Sequence, residues 1–163
     1  MTDADSRNPF TSPFEAGMRA LIILAAAFPD ALDLYRLVTF DYLTVHSSDA
    51  AGPESLHAPV PLRSGELLVR RGLVERGLLL MVSRGLANRE FSTAGVLFRA
   101  SEEAAPFIDL LTAHYTQHLK DRAGWVIGTF GRLSDSDLRA RTAGLFRVWA
   151  PEFEARRAPG ALL

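Results

Sequence analysis

Apolar residues repeat every three or four positions through most of this chain, the spacing of helices with one buried face. The first such segment opens at Ser12-Pro13-Phe14-Glu15. Ser12 can accept from first-turn amides, Pro13 suits the first helical position and Glu15 completes a capping box. This helix is expected to reach about Phe28 and stop at Pro29. Its second half, ALIILAAAF, is apolar on every side, which places it centrally in a core. Asp30 is the expected cap of a second helix, with Leu34, Leu37, Val38 and Tyr42 on its apolar face. Ser47–Arg63 holds Pro53, Pro59, Pro61 and Gly52 and reads as a loop or extended crossover.

A long helical stretch, Ser64–Leu86, carries a stripe of Leu67, Val74, Leu78, Met81 and Val82. Gly72 and Gly77 interrupt it, each costing about 1 kcal/mol relative to alanine. Either a break near Gly72 or close packing of another backbone is therefore expected. Between Leu86 and Ser101 the helical repeat stops. Residues 89–91 and 96–98 read there as two strands joined by a Thr93-Ala94-Gly95 turn, the expected extent of β-structure. Ser101-Glu102-Glu103 then starts a helix with Ala104, Phe107, Ile108, Leu111 and Tyr115 in step, continuing through Leu119, Ala123, Val126, Ile127 and Phe130. Ser134–Asp137 opens a last helix, with Leu138, Leu145, Phe146 and Trp149 on its buried face and Pro151 at its end. A helix leading directly into a short β-hairpin predicts a mainly α, winged helix-turn-helix-like domain with one hairpin and C-terminal helices. Residues 12–153 form the expected single domain, between a disordered 1–11 and a frayed 154–163.

With 163 residues, one domain with a real core is expected. The net charge of −1 argues against a general polyanion binder. Thiol catalysis, disulfides and cysteine-held zinc are excluded because the chain has no cysteine. The N-terminus MTDADSRNPF is polar and acidic, unlike a targeting segment. The longest apolar run, Ala20–Phe28, is far short of the roughly 20 residues that span a bilayer. The expectation is a soluble cytoplasmic protein, without membrane contact.

Candidate chemistry is sparse. His114 and His118 stand four apart on a predicted helix, a metal-ligand spacing, but Tyr115 takes the place of the glutamate of the helical zinc-protease motif. They read as surface or half-buried histidines, and no metal or other cofactor is expected. His46 lies near Asp41, Ser47 and Ser48, yet no nucleophile elbow or phosphate-binding glycine loop accompanies it. His46 and His57 bracket the crossover and are expected to bond its backbone.

The arginines are the stronger signal. From Arg63 to Arg89 there are six, against Glu66 and Glu75, a balance of +4. Arg63, Arg70 and Arg84 are spaced by multiples of seven, so a continuous helix drifts by only about 20° per heptad between them. The expected phosphate-contacting set is Arg63, Arg70, Arg71, Arg76 and Arg84, with Arg89 and Arg99 on the hairpin. DNA contact is conditional on their sharing one exposed surface. No aromatic residues interleave with them, which argues against single-strand or RNA binding.

The stretch FDYLTVHSSDAAGPESLHAPVPLRSGELLVRRGLVERGLLLMVSRGL (Phe40–Leu86) resembles the middle components of bacterial ABC-three-component systems. The hairpin followed by SEEAAPFIDLL is similar too, and the resemblance spans roughly Asn8 to Phe153. It implies a small winged-helix-like protein encoded between an ABC ATPase resembling SMC or Rad50 proteins and a third component, in systems that act against phage or plasmids. It carries over no catalytic residue. The function so implied is a non-enzymatic adaptor that binds the ATPase and the third component; DNA contact through the arginine face is expected only if those arginines share one exposed surface. The alternatives are a free-standing winged-helix DNA-binding regulator and, third, a small hydrolase or metalloenzyme. A two-fold homodimer is expected as the commonest oligomer.

Overall fold

The computed structural model describes residues 12–59 and 64–145, without the side chains of 64–67. Ser12 starts α1 (Pro13–Ala27) as its sequence requires, its Oγ accepting from the Glu15 amide at 3.2 Å. Phe28 and the cis-bonded Pro29 end it. The chain then runs extended through β1 (Leu32–Asp33) before α2 (Leu34–Val45). The cap of α2 is Asp33, which accepts from the Arg36 amide at 2.8 Å, not Asp30. The reason is pairing: Leu32 and Asp33 lie opposite Phe98 and Leu97, so the backbone stays extended three residues longer.

After α2 a short 3-10 turn, Ser47–Ala50, leads into the crossover. Its described part is pinned to the end of α2. The Leu56 and His57 amides both donate to the Val45 carbonyl at 3.0 Å, and Ser47 Oγ donates to the Pro53 carbonyl at 2.8 Å.

Helix α3 (Ser64–Ser83) is continuous through Gly72. Close backbone approach occurs instead five residues nearer its end, at Gly77. A Cβ on Gly77 would lie 2.4 Å from Gly17 N and 2.5 Å from Pro13 O; one on Gly17 would lie 2.6 Å from Gly77 O. The two glycines let α1 and α3 touch backbone to backbone.

Strands β2 (Ala87–Ser92) and β3 (Gly95–Ala100) form the hairpin, longer than the sequence suggests, and Gly95 at φ +116 supplies the turn geometry. With β1 they make an antiparallel sheet in the order β1-β3-β2. The third strand has two residues, too few to show alternation in sequence.

The predicted helix after the hairpin is two helices, α4 (Ala104–Asp109) and α5 (His114–Phe130). The apolar repeat persists across the break because it fixes which side faces the core, not whether the axis is continuous. Leu111 O, at the break, accepts from Lys120 Nζ at 3.0 Å and Gln117 Nε2 at 3.3 Å. Ser134 caps α6 (Asp135–Thr142) through the Asp137 amide. Leu138 is buried and Leu145 half-buried; Phe146, Trp149 and Pro151, like residues 1–11 and 154–163, lie outside the described residues.

The order helix, strand, helix, helix, hairpin is winged-helix-like, in a mainly helical fold. Its core is dominated by α1 and α2: Ala20–Leu24 and every residue from Leu37 to Val45 are buried. No helix among the described residues is long and apolar enough to cross a membrane.

Candidate functional site

Two charges sit inside these apolar helices, Arg19 on α1 and Asp41 on α2. Burying either alone would be costly. They face each other: Arg19 Nε donates to Asp41 Oδ1 at 2.7 Å. Arg70 of α3 completes the cluster, its Nη1 2.5 Å from Asp41 Oδ2. Burial by itself would raise the Asp41 carboxyl. The two guanidinium charges and their hydrogen bonds reverse this and hold it below the usual carboxylate range. For Arg19, burial opposes the charged form, but Asp41 overcomes it and raises the guanidinium further. Asp41 is therefore a fixed anion that ties α1, α2 and α3 together.

Beside it lie two histidines and two tyrosines. Tyr42 Oη donates to Asp49 Oδ2 at 2.5 Å, and Arg70 lies over the Tyr42 ring, 5.5 Å from its centre. His57 Nε2 and Tyr115 Oη share a hydrogen bond of 2.6 Å, linking the crossover to α5. Burial, then the positive charge of Arg19, repulsion from His46 when it is protonated and the charge of Arg70, push His57 down to about 4. Burial pushes Tyr115 up to about 12. His46 is also lowered, first by burial and then by Arg70; its ring packs on Tyr42 and its Nε2 is buried without a hydrogen-bond partner. Among the described residues no bond from the His46 ring to the crossover backbone is seen, and the His57 ring bonds Tyr115. The backbone is held by Val45 and Ser47, while His57 Nε2 bonds Tyr115. At neutral pH the cluster offers an ionised carboxylate with both oxygens engaged and uncharged imidazole and phenol groups.

The heptad row Arg70–Gly77–Arg84 exists, but it is the packing row. Gly77 at its centre abuts α1 and Arg70 reaches Asp41 of α2, while Arg84, just past the end of α3, is exposed. Arg71 and Arg76 are exposed and about 140° apart around the helix, at 100° per residue. Arg76 Nε donates to its own helix, to Gly72 O at 3.2 Å. On the hairpin, Arg99 grips Glu90 with two bonds of 2.7 and 3.1 Å and also reaches the Pro29 carbonyl. Arg89 covers the exposed Phe91 ring at 5.2 Å. Arg63 lies outside the described residues. The condition for a shared basic surface is not met by this placement. The outward side of α3 carries Leu68, Val69 and Leu79, exposed by 40%, 61% and 41%, beside the exposed Arg71, Glu75 and Arg76.

His114 and His118 do share a face, with Nε2 atoms 3.0 Å apart. No group of three or more metal-ligating side chains forms among the described residues. Sequence reasoning missed the Arg19–Asp41 pair. The signal was present, in one charge within GMRALIILAAAF and one within LVTFDYLTV.

Residues 9–152 match the family model of the ABC-three component (ABC-3C) system Middle Component 2. No curated protein and no solved structure is a significant match. That match takes in both helices of the buried pair, the crossover, α3, the hairpin and the helices after it, so the chain belongs to the Middle Component 2 family of ABC-three component systems.

Proposed function

We propose that this protein is a non-enzymatic adaptor that joins an ATPase resembling SMC and Rad50 proteins to the third component of its system, in defence against phage or plasmids. Family membership supports the system, and the outward side of α3 supports the adaptor role. In a winged helix this helix is the one placed to read nucleic acid. Here it presents Leu68, Val69 and Leu79 among Arg71, Glu75 and Arg76, a mixed apolar and charged surface that suits another protein. The same surface is available for two-fold self-association. The reading includes no DNA contact, because Arg70 is paired with Asp41, Arg99 with Glu90, and Arg71 and Arg76 stand about 140° apart around α3.

Co-expression of all three components with a tag on this chain tests the reading. The ATPase and the third component should both be retained, and omission of this chain should separate them. Equal retention of the third component on the ATPase without this chain would overturn the bridging role. Light scattering should give twice the chain mass; a monomer at high concentration would remove the dimer.

A further inference from the structure

A groove of about 440 Å³ runs between α1, α3 and α4. Phe14 and Met18 line it from α1, Leu80 and Met81 from α3, with Leu86 and Phe107 closing the far wall. Arg84, exposed just past the end of α3, is the one charged group on its lining. Phe14 is 59% exposed at the rim. The volume falls within the ~300–1,000 Å³ of sites that bury a substantial apolar body.

We propose that this groove docks an amphipathic helix from another component of the system, with apolar side chains on Met18, Leu80 and Phe107 and a carboxylate on Arg84. The inference rests on the adaptor reading and deepens it by locating a contact. Side chains of helices make most of the wall, so it offers no ladder of backbone donors and acceptors. An extended peptide would lose hydration of its backbone there without replacement, whereas a helix satisfies its own. Arg84 sets the charge: an apolar segment bearing an acid gains a paired ion at the edge, and one bearing a base is repelled. A second copy of this chain fits less well. Among the described residues, one exposed helix face of matching chemistry is Leu68, Glu75 and Leu79 on α3. Seating that face in the groove is a head-to-tail contact, which builds rings or filaments instead of a two-fold dimer.

The test places a photo-reactive p-benzoylphenylalanine at position 14 of the full chain, co-expressed with the other components. The cross-linked peptide is then identified by mass spectrometry. The expected product joins position 14 to an acidic, amphipathic helical segment of another component. Arg84→Glu, at an exposed site, should leave the unfolding temperature unchanged and lower the cross-link yield at least tenfold. Cross-links only within the chain or to a second copy would overturn the groove as a partner site. So would an unchanged yield with Arg84→Glu while both components still co-purify, which leaves the adaptor reading standing. Failure of the wild-type chain to retain either component sinks both.

Discussion

Arg70 and Asp41, 29 residues apart in sequence, meet at 2.5 Å where α3 passes α2, and Arg19 takes the other side of the same carboxylate. Asp41 is fully buried. Removing it leaves two inward-facing guanidinium groups without their anion. Asp41→Ala should therefore destabilise the fold by about 3–5 kcal/mol, the usual result of breaking a buried pair from one side. Replacing all three together, Arg19→Met, Asp41→Leu and Arg70→Met, should cost much less, because no charge is left stranded. Urea unfolding of the two variants checks this; equal losses would remove the cluster from its structural role.

Glycine substitutions should split by sign. Gly77→Ala and Gly17→Ala push a methyl group into backbone at 2.4–2.6 Å and should destabilise by roughly 1–3 kcal/mol despite the better helix propensity of alanine. Gly124→Ala and Gly128→Ala, in α5 with nothing within 4 Å of the new Cβ, should stabilise by up to about 1 kcal/mol. Thermal unfolding of the four single variants decides the matter, and a stabilising Gly77→Ala would mean that α1 and α3 do not touch there.

Stability should fall in mild acid before carboxylates titrate. His57 sits at about 4 in the folded chain and near 6.5 when unfolded. Between those values the unfolded chain binds a proton that the folded chain refuses, so folding weakens as pH drops from about 6.5 toward 4. The lowered His46 adds to the same slope. Asp41, held below its usual range, adds a second loss only as pH falls through the ordinary carboxylate value of about 3.9 and below. Urea midpoints at pH 7.5 and 5.0 should differ, and His57→Gln should shrink the difference. An unchanged difference would mean that this ring is not held neutral by its surroundings.

Arg70→Glu separates a structural arginine from a phosphate-binding one. It sets a second carboxylate against Asp41 and should lower the unfolding temperature. Arg71→Glu with Arg76→Glu, both at exposed positions, should change stability by no more than about 0.5 kcal/mol. Were Arg70→Glu to leave stability untouched while weakening duplex DNA binding, the inward pairing of Arg70 would be refuted.

Much of this fold was legible from local chemistry. Ser12, Pro13 and Glu15 announce α1, the loss of the helical repeat marks the hairpin, and Ser134 marks α6. What local pattern cannot show is which surface a row of residues faces. Arg70 and Gly77 share a row as their spacing says, but spacing is blind to the α1 backbone at Gly77 that turns Arg70 inward and to the helix end that leaves Arg84 exposed. Likewise Asp33 caps α2 because β3 extends the chain past Asp30, a long-range cause. The buried site was more readable than it first seemed. A lone arginine and a lone aspartate inside otherwise apolar helices must find each other or pay in stability.

A rod fixed at one point can swing; fixed at two it cannot. Helix α3 is fixed at Arg70 and again at Gly77, seven residues and about 10 Å along its axis. Its far end, where Leu80, Met81 and Arg84 stand, therefore keeps a set position relative to α1 and α2. A molecule landing on that end would meet a helix already held against α1 and α2.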